Sequence, residues 1–152
     1  INGGSYRIYC KKNIKKSIKF KEHAGYSEII KFIKRIKQNK KMTVEFIKKK
    51  IKLGKKIFLY GASTKGNTLL QCYGLTNKEI PFAAERSKAK WGKYTVGTMI
   101  PCVSEDEARK AQPDYFLVLP YAFFDEFYDR ERDWRKKGGK LIVPFPEFRG
   151  VS

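Results

Sequence analysis

Two hydroxyls and an ammonium group stand side by side at Ser63, Thr64 and Lys65, bracketed by Gly61 and Gly66. Hydroxyls hydrogen-bond phosphate oxygens, and a lysine adds a full positive charge. The apolar run Ile57-Phe58-Leu59-Tyr60 comes just before, and Thr68, Leu69, Leu70 and Tyr73 follow at helical spacing. Strand, small-residue turn and helix start together aim unpaired backbone N–H groups at an anion. The stretch therefore reads as a cradle for the phosphates of a nucleotide-like ligand, formed by Gly61, Ser63, Thr64, Lys65 and Asn67. Its spacing is neither GxxxxGK(S/T) nor GxGxxG. The competing reading is a plain strand-to-helix turn capped by Ser63 or Thr64.

A second acid–base pair, Glu85-Arg86, ends the short apolar segment Ile80–Glu85. Glu85 lies 24 residues beyond Gly61, close to where doubly wound nucleotide-binding domains place an acid on a ribose hydroxyl. An ordinary surface glutamate is the alternative. The irregular stretch 87–100 is rich in glycine, aromatics and lysine, which suits a base or a phosphate. It could equally form a hairpin over the sheet. Lys90 and Thr98 are its candidate contacts.

Stepping outward to the elements, Asp114–Leu119 is a third buried strand closed by Pro120, and Lys140–Val143 is a fourth. A brief strand at Pro101–Val103 precedes a helix capped by Ser104 with Glu107 as its capping-box partner. A helix from Tyr121 to about Lys137 is striped by Phe123, Phe124, Phe127, Tyr128 and Trp134 and stopped by Gly138-Gly139. Alternating strands and helices predict an α/β, Rossmann-like three-layer domain with a mainly parallel sheet over residues 55–152. In such sheets ligands bind at the carboxyl ends of strands. That places Gly61–Lys65, Glu85-Arg86, Pro120-Tyr121 and Pro144–Pro146 on one edge.

The 152-residue chain carries a net charge of +19, unevenly spread. Residues 1–56 hold 19 Lys and Arg against 3 Asp and Glu, leaving 15 against 12 in the rest. Residues 13–54 are expected to form a basic connector and two lysine-rich amphipathic helices, Ser27–Asn39 and Thr43–Lys52. Ser27 and Thr43 would cap them and Gly54 would end the second. Lysines interleaved with isoleucines at helical period read as the outer face of packed helices. The alternative is a surface for nucleic acid or an acidic protein. Nucleic-acid binders usually mix arginine and exposed aromatics into such a patch, and this one is nearly all lysine, which weighs against nucleic acid. Cys10, Cys72 and Cys102 are too far apart for a metal motif, His23 stands alone, and the thiols fit a reducing cytoplasm. No apolar run approaches the roughly 20 residues of a membrane span. Residues 1–12 hold one strand with no local partner. The chain opens on Ile1, so a piece of a longer protein is expected.

The segments GASTKGNTLLQ, AAERS with KWGKYTVGTMIP, PDYFLVLP and GGKLIVPFP occur in this order between Lys55 and Pro146. Together they resemble the C-terminal domain of the sugar C-methyltransferases, which act on nucleotide-linked deoxysugars. NGGSYRIY resembles the strand closing that family's S-adenosylmethionine-binding domain. The resemblance implies a Rossmann-like domain that holds a nucleotide-sugar, commonly a dTDP-sugar, against an upstream methyltransferase domain. Ser63, Thr64 and Lys65 would meet the pyrophosphate. Glu85, Arg86 and the loop from Lys90 to Thr98 would meet the nucleoside, with Pro120 and Tyr121 at the cleft. S-adenosylmethionine, zinc and the catalytic residues would belong upstream, so the isolated chain is expected to bind without catalysing and to hold neither metal nor cofactor. The family pattern after the LVLP segment is Trp-His-Phe, where this chain has Tyr121-Ala122-Phe123. A nicotinamide-dinucleotide domain is a third reading, opposed by the missing GxGxxG.

Overall fold

A computed structural model describes residues 25–151 together with Lys12. The strand expected within residues 1–12, the connector at 13–24, Cys10 and His23 fall outside the described residues.

The lysine-rich segment is one helix, α1 (Tyr26–Lys52), rather than the two expected. The four residues from Asn39 to Met42 contain no glycine or proline, and lysine and methionine are good helix formers, so nothing interrupts the backbone ladder. Thr43 is not a cap: its hydroxyl bonds back to the carbonyl of Asn39 at 2.7 Å. The Asn39 amide in turn donates to the Pro146 carbonyl at 2.6 Å. Gly25, not Ser27, occupies the N-cap. The C-terminal end closes as expected on Gly54, at φ 73°. The Gly54 and Lys55 N–H groups bond to the carbonyls of Ile51 and Lys50, the pairing of a left-handed glycine stop.

The body alternates strands with helices: β1 (Ile57–Tyr60), α2 (Thr64–Tyr73), β2 (Ala83–Glu85), β3 (Cys102–Ser104), α3 (Glu105–Lys110), β4 (Tyr115–Val118), α4 (Phe124–Arg130), α5 (Arg132–Lys136), β5 (Lys140–Val143) and β6 (Arg149–Val151). Short 3-10 turns cover Lys88–Lys90 and Tyr121–Phe123. The sheet order is β3-β2-β1-β4-β5-β6. The first five strands are parallel and β6 pairs antiparallel with β5. The fold is thus α/β, and its mainly parallel six-stranded sheet agrees with the expected architecture. β2 is shorter than expected because Pro81 has no N–H to give the ladder. β3 starts one residue later than expected, and the capping box of Ser104 and Glu107 is present.

Successive residues of a strand face opposite sides, and two cores result. Ile57, Leu59 and Leu117 face α1 and α2 through Ile47, Leu70 and Tyr73. Phe58, Tyr60, Phe116 and Val118 face α3, α4 and α5 through Ala108, Phe127 and Trp134. The helix expected from Tyr121 to Lys137 is broken into a 3-10 turn and two α segments. The break falls at Glu131, which is 1% exposed. Its side chain turns inward and accepts from Arg109 and from the Tyr60 hydroxyl.

Candidate functional site

Helix α2, after β1, packs on one side of the sheet, and α4, after β4, packs on the other. β1 and β4 are neighbours, so their two exit loops diverge and leave a crevice between them at the carboxyl edge. This is the switch point at which open α/β sheets take ligands. Gly61 makes the turn out of β1 at φ 83°, and a Cβ there would lie 2.8 Å from Cγ of Pro120 at the exit of β4. Gly66 lets α2 come down on β4: its Cβ would stand 3.0 Å from Cβ of Leu119. Both glycines of the small-residue turn are thus explained by close approach, one at the turn and one under the helix.

Two cavities open on this edge. The larger, of about 440 Å3, is lined by Gly61, Ser63, Glu85, Arg86, Lys90 and Pro120, and on its far side by Tyr60, Glu105, Phe123, Glu126, Phe127 and Arg130. The smaller, of about 280 Å3, is lined by Ser63, Thr64, Lys65, Leu69, Leu119, Pro120, Tyr121 and Ala122. Ser63, Pro120 and Phe123 form the wall between them. Nine of the sequence-derived candidates (Gly61, Ser63, Thr64, Lys65, Glu85, Arg86, Lys90, Pro120 and Tyr121) are brought to this one edge.

Asn67 and Thr98 line neither cavity. Thr98 is 2% exposed, and its hydroxyl pairs with that of Thr95 at 2.6 Å. Its carbonyl accepts from the Asn77 N–H, so it knits the 94–101 loop together. An isolated antiparallel bridge between Tyr94 and Pro101 closes that loop. Asn67 sits in the first turns of α2, with its Oδ1 buried and without a hydrogen-bond partner among the described residues.

The turn after β1 is held by the protein's own groups at defined points. The Glu85 carboxylate accepts from the N–H of Ala62 at 3.0 Å, the N–H of Ser87 at 3.0 Å and Nζ of Lys90 at 3.1 Å. Lys90 also donates to the Ala62 carbonyl at 2.8 Å. Glu85 is therefore at the tip of β2, as the spacing predicts, with its oxygens turned to the turn it braces. Ser63 is the N-cap of α2, its Oγ accepting from the Gly66 N–H at 3.0 Å. Thr64 and Lys65 are the first two helical residues. They and the positive end of the helix dipole lie on the wall of the smaller cavity.

The far wall is a ladder of charges that sequence reading missed. Arg86 donates to Glu126 at 3.1 Å, and Glu126 also takes a bond from Arg130. Arg130 donates to Glu105 at 2.8 Å. Arg109 donates to Glu105, to Asp106 and, three times, to Glu131. The Tyr60 hydroxyl lies 2.7 Å from Glu131 and 3.1 Å from Glu105. Burial, and then the bond to Glu131, pushes the Tyr60 phenol far above its ordinary value. The bonds to Glu131 hold Arg109 more firmly cationic than usual. The sequence signals for this wall are two i, i+4 pairs, Glu105 with Arg109 and Glu126 with Arg130, the second beside Phe123 and Phe127.

Among the described residues no group of three or more His, Cys, Asp or Glu could hold a metal ion. Cys102 is buried, and burial first of all raises its thiol above the ordinary range. No helix among these residues is long and apolar enough to cross a membrane.

A family model described as the C-methyltransferase C-terminal domain matches residues 1–146. Over 99 residues the chain is 40% identical to the C-methyltransferase NovU of Streptomyces niveus. That match covers 65% of this chain and 24% of the relative, so it spans about a quarter of NovU's length. The family match takes in the doubly wound body just described, and the chain belongs to the C-methyltransferase C-terminal domain family.

Proposed function

We propose that this domain is the substrate holder of an S-adenosylmethionine-dependent sugar C-methyltransferase, and that it binds a nucleotide-sugar, with a dTDP-sugar as first choice, in the switch-point crevice. The observation that carries this reading is the convergence of the β1 turn, Arg86, Lys90 and the Pro120–Phe123 wall on two adjoining cavities. The diphosphate would lie at the start of α2, against Ser63, Thr64 and Lys65, where amides, hydroxyls and a lysine answer its charge. The wall of Pro120, Tyr121 and Phe123 is apolar and would take the flat or deoxygenated parts of the ligand.

In this proposal methyl transfer belongs to an upstream domain, which would hold S-adenosylmethionine, zinc and the catalytic base. The contribution of the present domain is position: holding the sugar carbon against a separate reacting centre removes much of the entropic barrier to their meeting. The isolated chain should bind without turning substrate over, and a cytoplasmic location suits its sugar-nucleotide ligand.

Titration calorimetry with dTDP tests the reading. The wild-type chain should bind, and Lys65→Ala should weaken binding by roughly tenfold, the loss of one charge-assisted hydrogen bond. Equal affinity in the two proteins would remove the phosphate assignment from this turn. Binding of an RNA oligonucleotide in place of dTDP, lost on neutralising Lys48, Lys49 and Lys50, would favour the basic-surface alternative.

A further inference from the structure

The larger cavity is electrically balanced. Arg86, Lys90 and Arg130 face Glu85, Glu105 and Glu126 around it. A site for a diphosphate is ordinarily left with surplus positive charge, so in this one a ligand must compete with a carboxylate already in place. The three carboxylates differ in how firmly they are held. Glu85 has a side chain 10% exposed and is fixed by two backbone amides and Lys90. Glu105 is 15% exposed and is fixed by Arg109, Arg130 and Tyr60. Glu126 is 49% exposed, and the bonds from Arg86 and Arg130 both fall on its single oxygen Oε1.

Those two arginines come from different walls. Arg130 is one turn along α4 from Glu126, so their pairing is local to the helix. Arg86 follows β2, on the sheet side, 40 residues away in the chain. Glu126 therefore joins the sheet edge to α4 across the cavity that both residues line. Its free oxygen and half-exposed stem leave it able to rotate into solvent, whereas Glu85 and Glu105 would have to abandon buried donors.

We infer that Glu126 is an exchangeable internal anion: with one phosphate of a nucleoside diphosphate at the start of α2, the other takes the place Glu126 now holds between Arg86 and Arg130, in the adjoining cavity that shares Ser63 and Pro120, and Glu126 swings out when that ligand arrives. This rests on the nucleotide-binding reading above and names a residue that sets its selectivity. Two guanidinium groups accept a phosphate through several charge-assisted bonds, more than one carboxylate oxygen supplies. An uncharged nucleoside has nothing to exchange for the carboxylate and leaves it in place. Glu126 thereby raises the threshold for entry and reserves the cleft for ligands with a phosphate chain.

The test is calorimetry on the full chain with dTDP and with thymidine, for the wild type, Glu126→Gln and Arg86→Ala. Thermal melting of each variant confirms that it is folded, and both positions are exposed enough for that to be expected. Glu126→Gln should bind dTDP about three- to fivefold more tightly, the worth of one exposed charge pair removed, with thymidine affinity unchanged. Arg86→Ala should weaken dTDP by about the same factor. If folded Glu126→Gln binds dTDP no more tightly than the wild type, or if thymidine gains as much as dTDP, the exchange idea is wrong while the binding reading stands. Absence of dTDP binding in every protein would overturn both.

Discussion

Tyr60 and Glu131 show how much a single residue decides here. Glu131 is buried to 1% exposure and is held by three bonds from Arg109 and by the Tyr60 hydroxyl. It divides α4 from α5, and it fixes the floor of the larger cavity from below. Tyr60→Phe removes a neutral donor from a buried carboxylate and should cost about 1.5–3 kcal/mol near neutral pH. The pH dependence has a definite sign. The folded phenol titrates above its ordinary 10.0, so the hydroxyl's contribution is fully present below pH 10. Above it the unfolded chain ionises while the folded one does not, and the contribution declines. Urea melts of the two proteins near neutrality and at about pH 11 should show the gap narrowing with rising pH. A gap that stays constant would mean that the hydroxyl is not held as described.

Among the elements, α1 and the α4–α5 pair departed furthest from expectation, for opposite reasons. Continuity of α1 was in the sequence, since no breaker stands between Asn39 and Met42, but two separate isoleucine stripes suggested two helices. The stripes mark different fates. Ile47 is fully buried while Tyr26, Ile29 and Phe32 are 80%, 47% and 46% exposed, so the second half packs on the sheet and the first half projects. Ile47→Ala should cost about 2–5 kcal/mol, whereas Ile29→Ser should stay within about 0.5 kcal/mol. Chemical denaturation of the two variants checks this, and a large loss from Ile29→Ser would mean that the first half is packed after all. The break in α4–α5 was not legible: no glycine or proline marks it, and the partner of Glu131, where it falls, is Arg109, 22 residues earlier in the chain. β6 was missed as well: Arg149-Gly150-Val151 has too little pattern to read as a strand, and it forms only because β5 offers an open edge.

At the scale of the molecule, four-residue apolar runs bounded by glycine or proline made the parallel sheet readable. The topology rule for such sheets places Gly61–Lys65, Glu85-Arg86 and Pro120-Tyr121 on one edge from the sequence alone, while Lys90 came from the composition of the loop after β2. The far wall stayed hidden because Glu126 and Arg130 look like an ordinary solvated helix face until the fold turns them over a cavity. Thr98 was misjudged for a related reason: a hydroxyl in a glycine-rich loop suggests a ligand, and here another hydroxyl of the same loop satisfies it. The family match shows a C-methyltransferase C-terminal domain; the proposal that a phosphate chain sits where β1 and β4 part rests on the cleft.

Amide chemical-shift mapping during a titration with dTDP tests that claim most directly. The account predicts shifts concentrated at residues 61–66, 85–90 and 120–130, with the α1 amides unmoved. Shifts confined to the lysine-rich turns from Lys37 to Lys50, with the β1 turn silent, would contradict it.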